Sequence, residues 1–492
     1  MRPIDLTLPV RSDRIPAEIW LHIIECSSLE QEDIANLSLV GKHLRYVVQP
    51  MLFSTVRVSL IRARYLDTST PVRCQHVRYY DRLQKRLKFA TSDRIAPFVK
   101  ALAIRIAGER VDIERVGAVK EGQVLQAVFD VLPCFINLRS FSAQDISLDG
   151  SHFDSLAKFE HFNGLHLERC TCTGDLGLTR LRVKYLSLHG KMHGSYGWWI
   201  PLVTCSSVEH LSYDAPLPLF SDHNEPEVLF PALAVLPRPM HSLRTLRLPA
   251  HAQHFPCFVG ALSQCASVEN LYIEPSPPPQ IGALTPVDHS LPVLRRKILP
   301  RLKAVCASPH FVQSLIMSRD DQMDLKHISI RGQKYNPMAV LELVRERCQG
   351  VEEIVIDLPI LDDMSPLDLL LTDLRALRGL FVTVNSLRLP HKEVYRRMKT
   401  SAYPPKLRSL HIKFPYLKPA PASPLTRRFS HTTGQITSGK TRSTLVSRIR
   451  AQAPSVVEVE VGLAKPIVWR DPYSKPVKWY EWDDHGGRAV LL

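Results

Sequence analysis

Val351-Glu352-Glu353-Ile354-Val355-Ile356-Asp357 reads apolar-x-x-apolar-x-apolar. Ile354 and Ile356 alternate, so a β-strand sends both to one face and Glu353, Val355 and Asp357 to the other. Outward from this stretch the same spacing recurs. Upstream it appears at Val99/Leu102/Ile104, Leu138/Phe141/Ala143, Phe162/Leu165/Leu167, Val183/Leu186/Leu188 and Val208/Leu211/Tyr213. It continues at Leu243/Leu246/Leu248, Val268/Leu271/Ile273, Leu302/Val305/Ala307 and Leu325/Ile328/Ile330. Downstream it returns at Leu377/Leu380/Val382, Leu407/Leu410/Ile412 and Val456/Val459/Val461, thirteen copies in all. A recurring short strand that cannot bury its apolar face alone stacks on its neighbours. Segments 124–136, 256–265, 311–317 and 338–348 read as the helices that cover those strands.

The repeat resembles a leucine-rich-repeat array over about residues 97–465. The Asn or Cys that usually follows such a strand is missing almost everywhere, and Cys170 is the clear match. A mixed α/β domain with a parallel sheet is the alternative architecture. Glu274–Pro292 reads as an exposed proline-rich loop. Residues 415–450 hold seven Lys/Arg and no acid, and read as a basic disordered insertion.

Ahead of the repeats, Ile15-Pro16-Ala17-Glu18-Ile19-Trp20-Leu21-His22-Ile23-Ile24 opens a stretch of three short helices. Pro16 suits a first helical position, and Glu18 favours the helix dipole. Ile19 and Ile23 share a face. Asp33 reads as the N-cap of a second helix carrying Ile34 and Leu37. A third helix starts near His43 and is expected to stop before Pro50. Ile15-Pro16-Ala17-Glu18, Asp33-Ile34, Leu37, Val40-Gly41-Lys42 and Pro50-Met51-Leu52-Phe53 together resemble an F-box of the fungal kind. Leu44 stands where that family often has Trp. The resemblance implies docking on a Skp-type adaptor through Ile15, Pro16, Ile19, Ile23, Ile34, Leu37 and Val40. It also implies a link to a cullin complex.

The expected fold class is a small all-α F-box followed by an α/β leucine-rich-repeat-like solenoid. Its divisions are a tail at 1–13, the F-box at 14–55 and a connecting strand and basic helix at 56–96. The solenoid follows at 97–414, the insertion at 415–450, and a last repeat with a C-terminal cap at 451–492. Trp469, Trp479, Tyr480 and Trp482 read as apolar closure of that cap.

Composition narrows the class. The chain has 492 residues, 38 prolines, 21 glycines and a net charge of +15. No apolar run has signal-peptide or membrane-spanning length. The ten cysteines are scattered, which fits reduced thiols in the cytoplasm or nucleus. Residues 61–94 carry nine Lys/Arg and three Asp/Glu, a basic stretch read as a solvated face. Nucleic acid is the lesser reading, and no membrane partner is expected.

Signals for chemistry fail on context. Gly434-Gln435-Ile436-Thr437-Ser438-Gly439-Lys440-Thr441 has P-loop lettering, but no buried strand leads into it. His152, His161 and His166 lie near Cys170 and Cys172 without metal-ligand spacing. No enzyme, metal or cofactor is expected. What remains is the surface of the strands. Arg244, Thr245, Arg247, Lys326, His327, Arg408, Ser409, His411 and Lys413 are read as outward. Of these, Arg244, Arg247, Lys326, His327, Arg408, His411 and Lys413 are the candidate contacts to an unknown substrate protein. The expected function is substrate recognition in an SCF-type ubiquitin ligase. A non-catalytic scaffold and a nucleic-acid-associated protein are the alternatives.

Overall fold

The computed structural model describes residues 15–26, 29, 31–61, 72–107, 121–173, 181–190, 193–194, 198–204 and 207–214. It further describes 229–249, 252, 257–274, 298–319, 322–332, 335–414, 439–462, 467–470, 481–482 and 489–490. The chain divides into two compact units, Met1–Val208 and Glu209–Leu492. Trp479 and Tyr480 and most of the proline-rich loop lie outside the described residues.

The first unit opens with helices α1 (Ala17–Cys26), α2 (Gln31–Val40) and α3 (Lys42–Leu52). Ile24, Val47 and Val48 form their buried centre. Leu44 is also buried. Two sequence expectations need correcting. Asp33 is not a cap; α2 starts at Gln31, so Glu32 and Asp33 sit in its first turn. There their charge favours the positive end of the dipole. Pro50 does not stop α3 but lies in its last turn. A proline there removes one helical bond. The Phe53 N–H still closes the end on the Gln49 carbonyl at 3.1 Å.

Strand and helix then alternate. The order is β1 (Thr55–Ile61), α4 (Val72–Ala90), β2 (Ala101–Ala107), α5 (Glu121–Val131), β3 (Ser140–Gln144), β4 (Ser147–Asp149) and α6 (Gly150–Ala157). It continues with β5 (Gly164–Glu168), β6 (Thr171–Thr173), β7 (Tyr185–His189), β8 (His193–Gly194) and α7 (Ile200–Val203). β1, β2, β3, β5 and β7 pair in parallel in that order. The connecting strand at 55–61 is therefore itself the first strand of the sheet. β4, β6 and β8 form a second small parallel sheet.

The second unit repeats the scheme. Its strands are β9 (His210–Tyr213), β10 (Thr245–Leu248), β11 (Asn270–Ile273), β12 (Ala304–Ala307), β13 (His327–Ile330), β14 (Glu353–Leu358), β15 (Gly379–Val384), β16 (Ser409–Lys413) and β17 (Glu458–Gly462). Each pairs in parallel with the next in sequence, and β18 (Ile467–Arg470) closes on β17 in antiparallel fashion. Its helices are α8 (Leu229–Ala234), α9 (Phe258–Ser263), α10 (Pro309–Met317), α11 (Pro337–Arg347), α12 (Ser365–Thr372), α13 (His391–Thr400) and α14 (Gly439–Gln452). Strands β19 (Glu481–Trp482) and β20 (Ala489–Val490) pair with each other.

All thirteen copies of the sequence pattern are strands, and the two alternating apolar residues of each are buried. Within each unit the spatial order never reverses. A doubly wound α/β sheet reverses at a switch point; a repeat stack does not. The arrangement is thus leucine-rich-repeat-like. Local chemistry sets the helix starts. Ser308 and Asn336 cap α10 and α11, accepting from the Phe311 and Met338 N–H groups, and each is followed by proline. Across the helix layer Phe230, Phe258 and Phe311 form an edge-to-face series at 5.3 and 6.1 Å.

The insertion expected to be disordered is partly ordered. Residues 439–452 form α14, in which Leu445, Val446 and Ile449 are buried. Those three positions make a narrow helical stripe that a Ser/Thr/Arg-rich composition hides. Residues 415–438 lie outside the described residues.

Turn chemistry is satisfied case by case. Cys170 is buried and its thiol donates to the Ala143 carbonyl of the preceding repeat at 3.3 Å. Burial pushes that thiol up to about 12. Elsewhere the buried Arg319 donates to the Ile298 carbonyl at 2.9 Å and to the Leu299 carbonyl, where Leu299 has φ 56°. After β3, β5 and β7 the chain turns through Asp145, Arg169 and Gly190 at φ 57°, 48° and 68°. Arg169 grips Asp145 with two bonds of 2.9 Å. A Cβ at Gly190 would stand 2.7 Å from the Arg169 Cγ. Gly190→Ala is therefore expected to cost about 1–3 kcal/mol. Part of that cost should disappear in an Arg169→Ala background, read by denaturant unfolding of the four variants.

Candidate functional site

Two surfaces carry the residues singled out from the sequence. The first is the face of α1–α3. Ile19 and Ile23 sit four apart on α1 and are 50% and 43% exposed. Val40 is 70% exposed, Pro16 is exposed and Ile15 is half-buried. Ile34 and Leu37 are different. They are half-buried and pack on the buried centre of the helices, so they help hold the unit together. Sequence reading missed Leu39 and Tyr46, which are 74% and 72% exposed. The signal was available for Leu39. At 100° per residue it lies on the side of α2 away from Leu37.

The second surface is the open face and entry edge of the strands in the second unit. Most of its cations are already engaged. Arg244 and Lys303 both pair with Glu269, at 3.3 and 2.8 Å. Lys303 first, then Arg244, holds the Glu269 carboxyl below its ordinary range. Arg247 pairs with Glu274 at 2.6 Å, Lys326 with Asp324 at 3.0 Å, and Arg378 with Glu352 at 3.0 Å. His327 Nδ1 lies 2.9 Å from Glu353. Arg408 is exposed and forms no ion pair among the described residues.

His411 is the main correction here. It faces the open side of the sheet but is buried, as are Thr245 and Ser409. Its ring stacks on Phe381 with centroids 5.8 Å apart. Glu460 lies 3.1 Å from its Nδ1, and Glu458 lies 3.6 Å from its Nε2. Lys413 Nζ sits 4.8 Å from the centre of the Phe381 ring. Parallel neighbours stand only ~4.8 Å apart, so long side chains from adjacent strands close over a residue that alternation alone points outward.

No catalytic constellation assembles from the remaining candidates. His152 serves a capping box with Asp149 at the start of α6. No group of His, Cys, Asp or Glu among the described residues has the geometry to hold a metal ion. Burial raises the Asp357 carboxyl, while Arg331 and Thr383 oppose the shift. An open groove of about 910 Å³ runs between α4 and α5, lined by Tyr80, Gln84, Lys88, Gln126 and Asp130 among others. Two polar pairs in its lining close within their own helices, Gln84 with Tyr80 and Gln126 with Asp130. Of the P-loop lettering, Gly439, Lys440 and Thr441 form the first turn of α14, and Gly434–Ser438 lie outside the described residues. No described helix is long and apolar enough to cross a membrane.

Comparison with known proteins adds little. No family model matches the chain, and no curated protein matches it. Among solved structures, the crystal structure of a TLR13–ssRNA13 complex aligns at 12% identity and a TM-score of 0.27. The alignment covers 68% of this chain and 52% of that one, and at this score it supports no argument about either fold or function.

The His327–Glu353 pair gives a pH test. The hydrogen bond to Glu353 is the largest cause holding the His327 pKa above its ordinary value. A raised folded value means the pair contributes fully below the unfolded pKa and is lost as pH rises through the folded one. The groups are half-exposed, so the contribution is at most about 0.5 kcal/mol. Glu353→Gln is expected to lower the His327 midpoint in an NMR titration; an unmoved midpoint would refute the pairing.

Proposed function

We propose that the chain is the substrate-recognition subunit of an SCF-type cullin–RING ubiquitin ligase. Helices α1–α3 would dock on a Skp-type adaptor, and the repeat units would hold a target protein. The carrying observation is the exposed apolar set Ile19, Ile23, Leu39, Val40 and Tyr46 on a small helical unit whose own centre is already filled. Exposed apolar residues on a unit whose own centre is filled favour a protein partner. They coincide with the stretch whose motif resembles an F-box. In this reading the chain supplies proximity, raising the target's effective concentration near the conjugating enzyme. It performs no chemistry, needs no cofactor or metal, and works in the cytoplasm or nucleus.

Ile19→Asp with Val40→Asp is expected to abolish co-purification of the adaptor while leaving thermal unfolding of the chain unchanged. Leu37→Asp, by contrast, puts a charge at a half-buried packing position and is expected to destabilise the helical unit by about 1–3 kcal/mol. Full adaptor capture by the Ile19/Val40 variant would refute the docking face.

The non-enzymatic part has its own test. ATP with magnesium at physiological salt is expected to show no saturable binding. Micromolar binding lost in Lys440→Ala with Thr441→Ala would reopen the enzyme reading.

A further inference from the structure

The residues just before each strand form a continuous row, because each one's N–H bonds the carbonyl of its predecessor. In the first unit Arg139 bonds Lys100 at 2.7 Å, Asn163 bonds Arg139 at 2.8 Å and Lys184 bonds Asn163 at 2.8 Å. The row itself carries Lys100, Arg139, Asn163 and Lys184, the turns leading into it add Lys158 and Arg182, and these five cations are all exposed. Lys100, Arg139 and Arg182 make no ion pair among the described residues. Within turns 96–100, 135–139, 158–163 and 181–184 the acid is Glu160, which pairs with none of them.

The equivalent row of the second unit has a different balance. There Glu209, Glu269 and Glu352 stand among Arg244, Lys303, Lys326, Arg378 and Arg408; Glu269 and Glu352 bond Arg244, Lys303 and Arg378, and Asp324 bonds Lys326. Four of the five cations in that row are thus paired and Arg408 is not, whereas Lys100, Arg139 and Arg182 of the first unit all lack an ion pair among the described residues.

From this contrast we infer that the strand-entry edge of the first unit, carried by Lys100, Arg139 and Arg182, is a docking strip for an acidic extended segment of a partner protein. Three strand steps of ~4.8 Å make it roughly 14 Å long, enough for about four extended residues. Cations on such a rim attract and orient an acidic partner. A single-stranded nucleic acid also needs a series of rings on which bases stack. Beside this strip the exposed aromatic is Tyr185 alone among the described residues, so an acidic peptide fits better. The inference rests on the interaction-protein reading, but adaptor capture by α1–α3 is measured separately, and either can fail without the other.

The test uses the full chain and fluorescence anisotropy at about 150 mM salt, where distant charges are screened. The probes are a labelled (Glu-Gly)5 peptide, its (Ser-Gly)5 counterpart and a ten-nucleotide oligouridylate. The glutamate peptide is expected to bind and the serine peptide not to. The triple variant Lys100→Glu, Arg139→Glu, Arg182→Glu is expected to weaken binding at least tenfold, and the milder triple change to Gln by a smaller factor. Both should keep the parental melting transition. Arg375→Glu, Arg388→Glu, Lys406→Glu reverses three exposed cations elsewhere and should change binding less than twofold. Equal loss in that control would reduce the effect to net charge and overturn the strip. So would tighter binding of the oligouridylate, or a glutamate peptide indifferent to the Gln triple.

Discussion

The Arg244 carbonyl accepts the N–H groups of both Glu269 and Asn270, at 2.8 and 3.0 Å. The same forked bond recurs at Lys100, Arg139, Asn163, Glu209, Glu269, Lys303, Lys326, Glu352, Arg378 and Arg408. A short parallel strand has no hairpin partner and cannot satisfy its backbone alone. Its groups are paired only if the next repeat enters in register. The fork sets that register at the first residue of each strand. Everything after it follows: which two side chains enter the core, which face the open side, and where the charged row falls.

That register explains why residues of one type have different fates. Apolar positions two apart always reach the helix side, and their burial is uniform along both units. Polar positions depend on the neighbouring strand. Lys303 finds Glu269, whereas Arg408 forms no ion pair among the described residues. His411 disappears beneath Phe381 and two glutamates contributed by strands on either side of it. Pair energies at such exposed sites are small. Their consequence is mainly that Arg244, Lys303, Lys326 and Arg378 of the second unit's entry row are occupied before any partner arrives.

Function, on this view, lies in surfaces that the fold leaves unsatisfied. The three N-terminal helices fill their centre with Ile24, Val47 and Val48 and still display five large apolar side chains. A globular unit gains nothing from that display in isolation. Three of the cysteines and histidines that might suggest chemistry have structural roles. Cys170 serves a carbonyl, His152 a helix cap and His411 a packed stack.

Much of the architecture was legible in the amino-acid sequence, because period-two burial depends only on local geometry. Each copy of the apolar-x-x-apolar-x-apolar spacing is a strand, and Ser308-Pro309 and Asn336-Pro337 carry the helix starts in their own chemistry. The helix at 439–452 was not legible, since its stripe of Leu445, Val446 and Ile449 has meaning only against a surface that covers it. Nor was the division at residue 208, which no change in the repeat announces. Sequence also marked the apolar positions of α1–α3 without sorting them. Leu37 turns inward and Leu39 outward, and only packing against Val47 and Val48 decides between them. Spacing along one chain determines which side chains share a face. Whether that face meets a neighbour, a counter-charge or water is set by residues tens of positions away, and that was decided by the tertiary structure alone.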